Sequence, residues 1–347
     1  MKKIPVGILG ATGMVGQRFV ELLENHPWFE VRELAASERS AGKTYEEALG
    51  GRWKLSADIP EYARKMKVKA CKPNLDCKLV FSALDSSVAG EIEAEFAKSG
   101  YIVSSNSKNH RMDEDVPLLI PEVNADHLAL VEAQKKKTSG FIVTNPNCSV
   151  IGLVLALAPL QQEFGIEQVI VITMQALSGA GYPGVASMDI ADNVVPFIGG
   201  EEDKVDTEPL KLFGKLESGK IKFSGIKVSS ACNRVNVSDG HLESVSVKLR
   251  KKPTIAELKK AFSSFNPLKS LKLPSSPENP VVVLDEEDRP QPRRDRMREK
   301  GMASAVGRIR PCQVLDYKFV VLSHNTIRGA AGAAILNAEL MKVKGLL

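Results

Sequence analysis

Across the first 145 residues, short β-branched runs alternate with stretches of helical spacing. A chain patterned in this way buries its apolar residues as a parallel sheet with crossover helices. Val6–Leu9, Val31–Ala36, Leu79–Ala83, Ile102–Ser104 and Phe141–Thr144 read as strands, and Val15–Glu24 and Glu91–Lys98 as helices. The second half changes period. Gln168–Met174, Ser244–Leu249 and Val281–Leu284 alternate along their length, and Ala303–Arg310 pairs with Lys318–Leu322. These runs predict an antiparallel or mixed sheet with one buried face. Arg328–Val343 is alanine-rich with apolar residues at helical spacing, so a helix is expected there. The fold class is α/β.

At 347 residues the chain has length for two domains and a core that needs no staples. Its longest apolar run, Val150–Leu160, is about half of what a transmembrane helix requires. Met1-Lys2-Lys3 mimics the start of a secretory signal, but Gly7 and Gly10 break the apolar run behind it. Five cysteines (Cys71, Cys77, Cys148, Cys232, Cys312) are an odd count, which argues for reduced thiols and a cytoplasmic protein. A net charge of +5 suits anionic metabolites and is too weak to argue for nucleic acid. The basic run Arg289–Arg296 lies in the segment Leu273–Gly301, where interleaved acids and the lack of aromatics predict a solvated loop.

Gly10-Ala11-Thr12-Gly13-Met14-Val15-Gly16 lies between the first strand and the first helix. Glycines there permit a tight turn, and the amides of the helix N-terminus can hold a pyrophosphate. The second strand runs out into Ser37, Glu38, Arg39, Ser40 and Lys43. An NAD site usually ends that strand with an acid for the ribose hydroxyls. Hydroxyls and cations suit a 2′-phosphate better, so NADP is the expected cofactor in spite of Glu38.

Asn145-Pro146-Asn147-Cys148-Ser149 separates a strand from the apolar helix. Proline keeps the helix from starting earlier, which puts Cys148 at or near its first turn. The positive end of the helix dipole favours a thiolate there. A thiol nucleophile needs a base. His26, His110 and His127 sit where a solvated role is adequate, whereas His241 follows the turn Asn236–Gly240. Arg234 has the fork geometry for a substrate carboxylate. The other four cysteines read as inert. The three glycines after Gln175 let backbone approach a ligand. No spacing suggests a metal, and none is expected.

In combination, GATGMVGQ, SNSKNHRM, NPNCS, QALSGAGYPG, GGEEDK, NRV…DGH and HNTIRGAAGA resemble the aspartate-β-semialdehyde dehydrogenases, in their archaeal and fungal branch, nearly end to end. The resemblance implies an N-terminal Rossmann NADP-binding domain over residues 1–147, completed by a C-terminal helix at 326–347. Between them, residues 148–325 would form a glyceraldehyde-3-phosphate-dehydrogenase-like α+β catalytic and dimerisation domain. It implies a homodimer or homotetramer built through catalytic-domain sheets. The reaction implied is NADPH-dependent reduction of L-aspartyl-4-phosphate to the semialdehyde with release of inorganic phosphate. Cys148 would then be the nucleophile, His241 the acid/base and Gln175 the residue orienting substrate. Arg234 would bind the α-carboxylate and Glu201, or its neighbour Glu202, the amino group. Arg111 and Lys204 would hold phosphate, with Asn147 beside them. Gly10, Thr12, Gly13, Val15, Ser37, Ser40, Lys43, Ser82, Ser178, Gly179 and Asn325 are the expected cofactor contacts.

Two paralogous activities use the same scaffold. N-acetyl-γ-glutamyl-phosphate reductases typically carry NPGC where this chain has Asn145-Pro146-Asn147-Cys148. Malonyl-CoA reductases share the SGAGYPG loop but depart at the thiol motif, and their substrate has no amino group to meet Glu201. A non-catalytic NADP-binding sensor would be marked by loss of Cys148, Gln175, Arg234 or His241, and all four are present.

Overall fold

The computed structural model describes residues 2–347. β1 (Ile4–Leu9), β2 (Phe29–Ala36), β3 (Val68–Ala70), β4 (Leu79–Ser82), β5 (Ile102–Ser105) and β6 (Phe141–Thr144) form one wholly parallel sheet. Its order is β3-β2-β1-β4-β5-β6. The chain winds outward from β1 on one side and from β4 on the other, so a crevice opens beyond the C-terminal ends of these two strands. α1 (Met14–Leu22) follows β1, and α2 (Ser86–Lys98) follows β4 with Asp85 capping it through the Ser87 amide. β3 is too short, at three residues, to leave a periodic signal in the sequence.

α3 (Cys148–Glu163) leads out of this sheet, and every residue from Ser149 to Leu160 in it is buried. β7 (Ile166–Gln175) begins a second sheet. After α4 (Glu201–Leu212) and the small hairpin β8 (Lys215–Glu217) and β9 (Lys220–Lys222) come β10 (Lys227–Arg234) and β11 (His241–Leu249). α5 (Ile255–Ser264) precedes β12 (Val281–Leu284), β13 (Ser304–Pro311) and β14 (Tyr317–Ser323). The mixed order is β10-β7-β11-β14-β13-β12, and β13 pairs antiparallel with β14 as the sequence pattern predicts. Along β7, Val169, Val171 and Thr173 point into the core, while Ile170 and Ile172 face outward and are exposed. Half-exposed alternation of this kind is what period-2 patterning looks like once folded.

The C-terminal helix returns to the first sheet. A π-helical turn at Ile327–Ala331 opens it, where plain helix was expected, and α6 (Gly332–Val343) continues. Ile335, Leu336, Leu340 and Met341 join a core with Val6, Phe19 and Phe81. No helix among the described residues is long and apolar enough to cross a membrane.

Two expectations about charge give way to burial. Arg289 and Asp295 are not solvated: Asp295 is buried, takes the Arg289 guanidinium with both oxygens, and accepts from the Gln291 amide. Neutralisation within the run is what lets it fold inward. His26 and His127 are buried as well, His26 against Glu339 at 2.9 Å and His127 between Asn124 and the Gly214 carbonyl.

One inward residue of β11 is unlike its apolar neighbours. Glu243 is 1% exposed, and neither carboxylate oxygen has a hydrogen-bond partner. Burial raises its pKa well above the ordinary 4.5, so the folded protein holds the proton more tightly than the unfolded chain. The stability this proton confers is full below the unfolded pKa and is lost as pH climbs toward the folded one. Glu243→Gln removes the titration without changing shape. Its stability relative to wild type should therefore increase as pH rises above the ordinary carboxyl range, by up to about 1.4 kcal/mol per pH unit until the folded-state carboxyl ionises. Urea unfolding across that range measures it, and a gap that stays flat would mean the carboxyl does not titrate differently on folding.

Candidate active site

The crevice of the first sheet is built for an anion carried by backbone amides. Gly10 has φ +76°, and a Cβ there would lie 2.5 Å from the Ala83 carbonyl oxygen. At Gly16 a Cβ would come within 2.2 Å of the Gly10 oxygen, so α1 can pack on its own turn only as glycine. Gly13 caps α1 with no side-chain hydrogen bond, and no acid sits in the first turn. These amides and their positive helix end fit a dinucleotide pyrophosphate. Glu38, the acid that might have taken a ribose hydroxyl, pairs instead with Lys72 at 3.2 Å. That leaves Ser37 facing the cleft, as suits an NADP 2′-phosphate better than a bare ribose.

The cleft measures about 660 Å³. Gly10, Thr12, Gly13, Val15 and Ser37 line it together with Arg111, Asn147, Cys148, Ser178, Gly179, Lys204 and Asn325. Three expected cofactor residues do not line it. Ser82 is fully buried as the last residue of β4, and the backbone after it, Ala83 and Leu84, faces the cleft in its place. Ser40 is buried in a turn closed on the Ser37 carbonyl. Lys43 is exposed, with its backbone tied to Val68.

Cys148 is the first residue of α3. Asn147 caps that helix, its side-chain oxygen accepting from the Ser149 and Val150 amides. Strand register brings the thiol its partners. β10 runs parallel to β7 with Arg234 opposite Gln175, and β11 runs antiparallel with Leu242 opposite Met174. Gln175, Arg234 and His241 thus arrive at one end of the second sheet from three strands. His241 Nε2 lies 3.2 Å from Cys148 Sγ. Its Nδ1 accepts from the Ala176 N–H at 3.0 Å, so the neutral ring carries its proton on Nε2, directed at sulfur. Arg234 donates from Nη1 to the Ala176 carbonyl at 2.7 Å. The loop after Gln175 lies over both: a Cβ at Gly179 would meet Arg234 at 3.0 Å and His241 at 3.2 Å. Gln175 itself is buried, with its amide 3.3 Å from the Thr173 hydroxyl.

Charge around the thiol is mixed. Burial, and after it the Glu201 carboxylate, push Cys148 up to about 12, while Arg111, Arg234 and Lys204 pull it down. Burial brings His241 down to about 3. The helix end by itself therefore does not make a resting thiolate, contrary to the sequence expectation. Cys77 and Cys232 are also pushed up, to about 12 and about 11. What singles out Cys148 is its imidazole partner and its place in the cleft. Glu201 accepts from Asn147 at 2.8 Å and from Lys204 at 2.8 Å. Burial works against its charge, but Lys204, Asn147 and His241 outweigh it and hold the carboxyl below its ordinary range. Glu202 points away, accepting from the Cys232 amide. Of the two neighbours, Glu201 is the one at the site.

Glu208 and Lys211, one and two turns beyond Lys204 along α4, are functional-site residues that the motifs do not single out. Glu208 joins Arg111 to the Asn147 backbone, and Lys211 donates to three carbonyls of the segment that carries Arg111. The 201, 204, 208, 211 spacing, a single helix face, was the available signal. Gly329 was also passed over: a Cβ there would sit 2.9 Å from the Cys148 Cβ, so the π-helical turn lies directly against the nucleophile.

Comparison with known proteins places this architecture. The NAD-binding domain of semialdehyde dehydrogenases matches residues 5–131, and their dimerisation domain matches residues 157–328. The aspartate-semialdehyde dehydrogenase of Archaeoglobus fulgidus is 55% identical over 339 residues, covering 97% of each chain. That of Methanothermobacter thermautotrophicus is 51% identical over 345 residues, covering 97% of this chain and 99% of its own. The crystal structure of the Candida albicans aspartate-semialdehyde dehydrogenase with NADP superposes with a TM-score of 0.92 at 44% identity, over 100% of both chains. The chain belongs to the aspartate-semialdehyde dehydrogenase family.

Proposed function

We propose that this chain reduces L-aspartyl-4-phosphate to L-aspartate-4-semialdehyde with NADPH, releasing inorganic phosphate, in the biosynthesis of lysine, threonine, methionine and isoleucine. The observation that carries this reading is the contact of Cys148 Sγ with His241 Nε2, 3.2 Å apart, in a cleft shared with cationic side chains and a glycine-rich anion cradle.

An acyl phosphate is already activated, so the sulfur of Cys148 attacks its carbonyl, the carbon–sulfur bond forms and the carbon–oxygen bond to phosphate breaks. Arg111 and Lys204 receive the departing phosphate, which takes up the one proton that the reduction consumes per turnover and leaves as the dianion. Arg234 holds the substrate α-carboxylate and Glu201 its ammonium, while Gln175 orients the chain near sulfur. The thioester accepts a hydride where an ionised carboxylate would not, and bound NADPH supplies it. Expulsion of sulfur then frees the aldehyde and returns the thiolate. Because the thiolate is regenerated, His241 has mainly to donate from Nε2, to sulfur and then to the carbonyl oxygen. Its acid/base work is confined to the first ionisation of the thiol, which requires the bond between Nδ1 and the Ala176 amide to open. Gly10, Thr12, Gly13, Val15, Ser37, Ser178, Gly179 and Asn325 hold the cofactor.

The outward face of the second sheet carries exposed Ile170 and Ile172, and we place the contact of a homodimer, or of the dimers within a tetramer, on that face. Free cysteines throughout the described residues suit a reducing cytoplasm.

NADP reduction with aspartate semialdehyde tests the reading. Formation of NADPH should require inorganic phosphate and be much weaker with NAD. Activity only with malonate semialdehyde plus CoA would move the chain to the malonyl branch. Tight NADP binding without turnover on either substrate would leave a sensor.

A further inference from the structure

α4 presents four charged residues along one face, and the reaction uses only the first two. Glu208 and Lys211 are buried, at 2% and 1% exposure, and neither faces the cleft. Glu208 Oε1 accepts from Arg111 Nη1 at 2.9 Å, and its Oε2 accepts from the Asn147 N–H at 2.6 Å. Lys211 Nζ donates to the carbonyls of Arg111, Asp113 and Val116 at 2.8, 2.7 and 2.9 Å. Arg111 is thus gripped twice from one helix, by its side chain and by its backbone. Its Nη2 is spent on the Asn106 carbonyl at 2.8 Å, and its Nε has no protein partner. The guanidinium is fixed in orientation with donor capacity left over.

We infer that Glu208 is a positioning residue that ties the phosphate-holding guanidinium of Arg111 to the N-cap of the nucleophile's helix. This rests on the phosphate role given to Arg111 above. A carboxylate beside a phosphate site repels the ligand by charge, so its presence there needs a compensating gain. Lys204 and Arg234 already supply positive charge, which makes orientation the scarcer quantity. Bidentate recognition of phosphate depends on the plane of the guanidinium, and a carboxylate fork is the group that sets that plane. Through its second oxygen the same carboxylate holds the amide of Asn147, so the phosphate site and Cys148 share one anchor.

The test separates orientation from charge. Phosphate KM, semialdehyde KM, kcat, NADP affinity and Tm are measured for wild type, Glu208→Gln and Glu208→Asp. The Gln variant keeps the shape but can accept at only one oxygen, and the Asp variant keeps the charge but is a methylene short of reaching both partners. Both should raise phosphate KM by about tenfold or more, with semialdehyde KM and NADP affinity within about twofold of wild type. In an Arg111→Met background, Glu208→Gln should add nothing to the phosphate KM, because its effect passes through Arg111. A lowered phosphate KM in the Gln variant with an unchanged Asp variant would make Glu208 a purely electrostatic brake and overturn the inference. So would additive losses with Arg111→Met, or a uniform fall in every parameter together with Tm. If wild type itself shows no phosphate-dependent turnover, the functional reading fails, and the inference that rests on it falls with it.

Discussion

Cys148→Ser should lose at least about 10⁴-fold in phosphate-dependent NADPH formation while binding NADP as wild type does. The substitution changes one atom at the start of α3 and leaves the Asn147 cap, the Glu201–Lys204 pair and the glycine turn in place. A serine hydroxyl ionises far above a thiol, and His241, brought down to about 3 by burial, is a weaker base for it than an ordinary imidazole. Burial already pushes the thiol up to about 12, and an alcohol in the same surroundings ionises higher still. Steady-state turnover and a fluorescence titration with NADP read the two halves of the statement. Residual activity above about one per cent of wild type would mean that no covalent thioester lies on the path. Serine at Cys71 or Cys312, half-buried cysteines with no imidazole partner, serves as the control and should leave turnover intact.

The parts of this molecule readable from sequence are those whose signal is local. Pro146 and Asn147 marked the start of a helix, and Cys148 is its first residue. The glycines of the first turn marked a cradle, and Gly10 and Gly16 are where a Cβ has no room. Val281–Leu284 and Phe141–Thr144 were bounded to the residue, since turn-forming or charged neighbours fence them in. What escaped was set by tertiary partners. Whether His241 meets Cys148 depends on the register of β7, β10 and β11, which no spacing along the chain encodes. His26 read as solvated because its partner, Glu339, is 313 residues away. Ser82 ends a strand, and Ser40 and Lys43 follow one in sequence, yet which way each side chain faces depends on its tertiary surroundings, and none lines the cleft. The acidity of Cys148 is not legible for a related reason: the helix end is visible in sequence, and the burial that opposes it is not.

Arg328→Met is the substitution expected to cost the fold most. Arg328 and Glu122 are each wholly buried at the side chain and meet through two hydrogen bonds of 2.8 Å. Glu122 belongs to the short helix Pro121–Asn124, and Arg328 lies in the π-helical turn Ile327–Ala331, so the pair ties the start of the C-terminal helix to the connection between β5 and β6. Removing one member strands a carboxylate in the core, at a cost of about 3–5 kcal/mol. Removing both, as Glu122→Leu with Arg328→Met, strands no charge and should recover most of that loss. Urea unfolding of wild type, the two single variants and the double variant gives the cycle directly. Activity then reports a separate quantity. Gly329, the residue after Arg328, has its Cα packed so closely on Cys148 that a Cβ would sit 2.9 Å from the cysteine's own. A turn no longer pinned by the bidentate pair loosens that contact, so the double variant should be stable yet impaired in kcat, with its NADP affinity retained. A single-variant loss under about 1 kcal/mol would mean that water or a repacked neighbour neutralises Glu122, and the pair would not be the anchor of the turn.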